Sequence, residues 1–158
     1  MFLPKTLKKH YIFLVKKVQL KQEEKISSES LLASAPKNMP ALAYSQDIQQ
    51  RAAAAGFDWE KTEDILDKLV EEVDELVRAS NHEEKTAEFG DILFVLVNLA
   101  RRLNIDSETA LREANRRFYK RFEYMEKACR DKGITFANLS FAEQNTLWEE
   151  AKKDISRE

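Results

Sequence analysis

Between Glu88 and Ala100 the chain reads EFGDILFVLVNLA, an apolar run broken by Glu88, Asp91 and Asn98. On a helical wheel of about 100° per residue these three share a narrow stripe with Val95. Phe89, Ile92, Leu93 and Leu96 fill most of the remaining circumference. Upstream, Ile65, Leu66, Leu69, Val73 and Leu76 recur at helical spacing and predict a helix from Thr62 to Ala79, with Lys68, Glu72 and Glu75 along one edge of its apolar stripe. A further helix is expected from Ala41 to Ala55, stopped by Gly56 and followed by the aromatic connector Phe57-Asp58-Trp59.

The punctuation between these segments is equally regular. Asn81 with Glu84 three residues on predicts an N-cap with a reciprocal partner, opening a central helix from Glu83 to Leu103. Asn104 to Asp106 reads as a turn, and Asp106 or Ser107 as the next cap. Leu111, Ala114, Phe118, Phe122, Met125 and Cys129 then follow at helical spacing until Gly133. Ser140 and Glu143 form another capping box, ahead of a last helix carrying Trp148. No repeat and no convincing strand interrupts the pattern. The expected fold is an all-α bundle of four to five helices.

Composition narrows the function. One domain is the default for 158 residues. Charged residues reach 34%, but 26 basic and 28 acidic side chains nearly cancel, so no basic surplus marks a nucleic-acid binder. All three prolines, Pro4, Pro36 and Pro40, lie in the first quarter, leaving the rest free for long helices. Cys129 is the single cysteine, so it has no internal disulfide partner; it is expected to pack as a small apolar residue in a reducing, cytoplasmic setting. The run from Tyr11 to Val15 is far shorter than a membrane span, so no membrane partner is expected. Residues 1–40 read as an N-terminal stub, disordered or a surface helix, plus a Ser/Ala/Pro-rich linker (27–40). Residues 41–158 read as the domain proper.

The chemistry lies in the carboxylates. Glu71, Glu72 and Glu75 form an EExxE run; Glu88 and Asp91 follow on the next helix. Each run alone reads equally as a solvated face or as acids favoured at a helix start. A carboxylate embedded in an apolar helix, however, is costly unless a cation meets it. A short connection makes the two helices antiparallel neighbours, so Glu72, Glu75, Glu88 and Asp91 are able to converge on one ion. An all-oxygen set without Cys, and without His10 or His82 in a ligating register, selects Mg2+ or Mn2+ over Zn2+ or di-iron. Such an ion keeps positions open for phosphate and water. Asn98, further along the stripe, reads as a ligand-reaching or carboxylate-bracing amide, or as a satisfied buried one. Gly90 inside the helix implies a close approach by another helix or a phosphate. Lys68, Arg117 and Arg121 are candidate phosphate cations, with surface ion pairing as the plain alternative.

Asp67 to Glu75, Glu88 to Arg101 and Ala114 to Phe122 together resemble the MazG nucleoside triphosphate pyrophosphohydrolases, in particular their C-terminal catalytic domain. The resemblance runs from about Ser30 to the end and takes in the Ala55-Gly-Phe-Asp-Trp59 connector and Trp148. It implies an all-α homodimer that hydrolyses nucleoside triphosphates to monophosphate and pyrophosphate with Mg2+. By the same resemblance Glu72, Glu75, Glu88 and Asp91 are metal ligands. Lys68, Arg117, Arg121 and Trp148 are nucleotide contacts, and Asn98 and Asn115 join them as substrate-binding candidates. Glu71 is a candidate proton acceptor; Trp148 either stacks on the base or packs in the core. Two positions depart from the family pattern: Arg117 stands where Lys is expected, and Glu84, next to Lys85, replaces a Lys one turn before Glu88. The upstream domain of full-length MazG is absent and residues 1–26 look unrelated, which suggests a truncated or separately started reading frame. The rival expectations are a dUTP, dCTP or phosphoribosyl-ATP pyrophosphatase with the same cage, or a non-catalytic helical dimer binding nucleotide or a partner protein.

Overall fold

The computed structural model describes residues 30–155. The expectation for residues 1–29 lies outside them. Among the described residues the elements are five α-helices and one 3-10 turn, with no strand: α1 Ala41–Ala54, α2 Thr62–Arg78, α3 His82–Arg102, α4 Ser107–Asp131, the 3-10 turn Phe136–Asn138 and α5 Phe141–Ile155. The all-α expectation holds, with helix ends within a residue or two of those read from the sequence. No described helix is long and apolar enough to cross a membrane.

Three helices end in the same way. After α1, Gly56 takes φ +91°, its N–H donates to Ala53 O at 3.0 Å, and Phe57 N–H donates to Ala52 O at 3.0 Å. After α3, Asn104 at φ 55° plays the glycine's part, with Ile105 N–H on Ala100 O at 2.8 Å. After α4, Gly133 at φ 65° repeats it, with Ile134 N–H on Cys129 O at 2.9 Å. In each, a left-handed residue lets the chain turn back and satisfy the last carbonyls.

Three helix starts, those of α3, α4 and α5, are capped by side chains. Asp106 Oδ1 accepts from Thr109 N–H at 2.6 Å and opens α4. Ser140 and Glu143 form the expected reciprocal box before α5, Ser140 N–H donating to the Glu143 carboxylate at 2.8 Å. At α3 the box is displaced by one residue. Asn81 Oδ1 accepts from Glu84 N–H at 2.9 Å, but the Glu84 carboxylate reaches back to Ser80, accepting from its N–H at 2.7 Å and its hydroxyl at 2.8 Å. These bonds hold the Glu84 carboxyl below its ordinary pKa, the Ser80 N–H contributing most. The Glu that replaces the family's Lys is thus engaged in capping.

The chain divides into two compact units at Asn98 and Leu99. In the first, residues 30–40 form turns before α1, Ala35 is buried, and Ser34 Oγ accepts from Arg51 at 2.7 Å. Arg51 also pairs with Asp47 at 2.7 Å. In the second, α4 and α5 pack together around Met125, Cys129, Leu147 and Ala151, with Tyr124, Phe136, Leu139 and Trp148 closing over them. Cys129 packs there as a small buried apolar group, as expected.

Candidate metal and nucleotide site

Helix α2 is arranged against the usual rule. Glu72 is 5% exposed, while Val70 is 62% and Val77 78% exposed. Leu66 and Val73, which periodicity places in the apolar stripe, are also exposed. The inward face carries Ile65, Leu69 and Leu76 together with Glu72 and the half-buried Lys68 and Glu75. An apolar stripe identifies residues that avoid water but not which surface covers them; here the inward face is the one bearing the acids.

The buried acid is held by its neighbour one turn back. Lys68 Nζ lies 2.7 Å from Glu72 Oε1 and 2.9 Å from Glu71 Oε1. The bond to Glu72, then that to Glu71, raises the Lys68 pKa well above its ordinary value and keeps the ammonium charged. Without that cation Glu72 would be a buried, unpaired charge.

Glu72 and Glu75 from α2 meet Glu88 from α3: each offers a carboxylate oxygen, and the three lie within 4.8 Å of one another. Such crowding disfavours ionisation. The Glu88 carboxyl is pushed up from its ordinary pKa first by burial, then by Glu75, Glu72 and Asp91, with Lys68 acting in the opposite sense. Three carboxylate oxygens gathered this closely could hold a metal ion, and an all-oxygen set favours hard cations over thiolate-seeking ones. Asp91, the fourth expected ligand, is exposed and stands outside the three-carboxylate cluster, acting on it through its charge.

Other expectations fare differently. Asn98 is half-buried and engaged in interactions of its own. At Gly90 nothing among the described residues lies within 4 Å of where a Cβ would sit, so none of them makes the close approach expected there. A residue the periodicity did not single out is Gln49 of α1, 6% exposed, whose Nε2 donates to Phe94 O in α3 at 2.9 Å while its Oε1 is shielded without a partner. Its only sequence signal is an amide in an alanine-rich helix.

In the second unit, Asn115 and Arg117 are exposed on α4. Arg121, one turn on from Arg117, has its guanidinium carbon 5.5 Å from the centroid of the Trp148 ring on α5. Phe118 approaches the same indole at 5.5 Å between centroids, tilted by 49°. Trp148 also packs against the core, so core packing is part of its role.

A sequence profile of the phosphoribosyl-ATP pyrophosphohydrolase family matches residues 29–118, a span that includes the three clustered carboxylates, Asp91 and Arg117. The chain belongs to this family of MazG-like proteins. It is 42% identical over 114 residues to the nucleoside triphosphate pyrophosphohydrolase/pyrophosphatase MazG of Thermotoga maritima, a match covering 72% of this chain and 45% of that protein. It is 34% identical over 142 residues to the nucleoside triphosphate pyrophosphohydrolase of Escherichia coli K12, covering 85% and 54%. An uncharacterized protein of Bacillus subtilis, YabN, is 41% identical over 141 residues, covering 87% of this chain and 29% of that protein. The MazG-like chain therefore spans about half the length of the two named pyrophosphohydrolases. The resemblance read from the EExxE and ExxD runs is upheld by these likenesses.

Proposed function

We propose that this chain is a nucleoside triphosphate pyrophosphohydrolase, dependent on Mg2+ or a substitute such as Mn2+, that splits a broad range of nucleoside triphosphates into monophosphate and pyrophosphate in nucleotide-pool housekeeping. The observation that carries this reading is the convergence of Glu72, Glu75 and Glu88 beside a cation, Lys68, on helices that leave valines outside. A scaffold gains nothing from that arrangement. The names of the Thermotoga and Escherichia relatives point to the same reaction.

Glu72, Glu75 and Glu88, joined by a rotation of the exposed Asp91, would hold the ion. Bound there, Mg2+ supplies charge withdrawal from the phosphate oxygens. Water attacks the α-phosphorus, the bond to the α–β bridging oxygen breaks, and pyrophosphate departs. One carboxylate of the site, with Glu71 as an outside candidate, accepts the water's proton. Lys68, already held next to the acids, balances phosphate charge; Arg117 and Arg121 are assigned as further phosphate contacts. The fate of the cations on α4 supports this assignment: Arg112, Arg116, Lys127 and Arg130 pair with Glu108, Glu113, Asp131 and Glu126, whereas no carboxylate among the described residues pairs with Arg117 or Arg121. Asn98 and Asn115 are assigned as further substrate contacts.

The same reading makes the protein a cytoplasmic homodimer. Leu66, Val70, Val73 and Val77 form an exposed seam along α2, and Phe89, Leu93 and Leu96 are exposed on α3. Such a seam in water calls for a partner surface, and a second copy supplies one.

A second substrate reading, phosphoribosyl-ATP, is favoured by the matching family profile. A panel of nucleoside triphosphates, deoxynucleoside triphosphates and phosphoribosyl-ATP with Mg2+, assayed for released pyrophosphate, separates the two. Turnover of several nucleoside triphosphates supports the proposal; turnover of phosphoribosyl-ATP alone replaces it with the second reading; no turnover at all refutes both.

A further inference from the structure

We infer that Trp148 is a positioning residue, the platform that holds Arg121 for a triphosphate, rather than a stacking surface for the base. This deepens the proposed function and rests on its assignment of Arg121 to phosphate. Four observations within the second unit carry it. The Arg121 guanidinium lies over the indole at 5.5 Å, inside cation–π range. Phe118 takes up more of the same ring at 5.5 Å, and it stacks in turn on Phe122 at 6.1 Å. The indole is backed by the Met125, Cys129, Leu147 and Ala151 core, so its place is fixed by packing. Finally, Arg121 Nε is shielded from water without an acceptor, and no carboxylate among the described residues pairs with this arginine.

An arginine in a helix so rich in acids ordinarily finds a carboxylate one turn away, as Arg112 and Arg116 do. Arg121 is held by a ring instead. A ring orients the planar guanidinium without neutralising it, so its full charge and its remaining donors stay available to an anion. A carboxylate partner would compete with phosphate; an aromatic partner does not. The consequence is that Trp148 affects every nucleotide alike, because it acts on what they share.

The test uses Trp148 as its own reporter. Trp59 is the only other tryptophan, so a Trp59→Phe protein leaves a single emitter. Inorganic tripolyphosphate with Mg2+ should change Trp148 emission saturably, adenosine alone should not, and Arg121→Ala should abolish the response. A response to adenosine equal to that for tripolyphosphate, no response to tripolyphosphate, or a full tripolyphosphate response in Arg121→Ala overturns the inference. In turnover, Trp148→Leu should lower kcat/KM by roughly fivefold to thirtyfold, by the same factor for purine and pyrimidine triphosphates. Trp148→Phe should restore most of it, and adding Trp148→Leu to Arg121→Ala should cost nothing further. Losses that track base size, or that add to those of Arg121→Ala, overturn it as well. If the emission response is as expected but no triphosphate releases pyrophosphate, the enzyme assignment fails and the platform stands.

Discussion

Lys68 Nζ sits 2.7 Å from Glu72 Oε1, one turn apart on a helix that buries the acid and leaves the lysine half in water. The pair explains how a chain keeps a carboxylate in its interior while no other cation is bound: the lysine supplies the charge that the proposed ion would supply. Lys68→Met should therefore lower the melting temperature in EDTA, and saturating Mg2+ should recover much of the loss. Calorimetric melts with and without the ion check this; equal losses in both conditions would detach Lys68 from the metal site.

Crowding at Glu88 makes a pH prediction. Its carboxyl is raised by burial and by Glu75, Glu72 and Asp91. Through the window between its ordinary and raised values the folded protein binds more protons than the unfolded chain, so metal-free stability falls as pH rises through that window. Divalent-ion affinity changes in the opposite sense, strengthening as pH rises, since the ion displaces the proton. In Glu88→Gln both dependences should flatten. A metal-free melting temperature that climbs with pH across this window contradicts the account.

The exposed seam on α2 predicts self-association. Val70 and Val77 are the most exposed of its residues. Burying one such side chain is worth about 1.5–3 kcal/mol, so Val70→Lys should weaken the dimer at least tenfold, roughly 1.4 kcal/mol. Light scattering across a dilution series measures it. A wild-type protein that is monomeric at every concentration sinks the homodimer.

Gly90 interrupts α3 with open space where its side chain would be. Alanine there should raise stability by about 1 kcal/mol. If thermal melting shows a loss instead, another molecule's atoms occupy that space.

Much of this was legible in the sequence because helix ends are local. Gly56, Gly133, Asp106 and the Ser140–Glu143 box sit at the predicted boundaries, since caps depend on a few adjacent residues. The meeting of Glu72, Glu75 and Glu88 was legible too, because a short connection between α2 and α3 leaves little choice of partner. The exposure of Leu66 and Val73 in the single chain was not legible, since periodicity finds apolar positions without knowing what covers them. The shift of the α3 cap to Ser80, the buried amide of Gln49 and the contact of Arg121 with Trp148 depend on side-chain reach or tertiary packing that spacing does not encode.

The ion itself is the most direct test. Titration calorimetry with Mn2+ on the metal-free protein should show saturable binding that Glu72→Gln and Glu88→Gln each weaken by about tenfold or more, with the helical circular-dichroism spectrum retained. Asp91→Asn should weaken it less, in line with its exposed place outside the cluster. Saturable binding unchanged in both glutamine variants, or no binding by the wild-type protein, would show that these carboxylates converge for some purpose other than holding a metal.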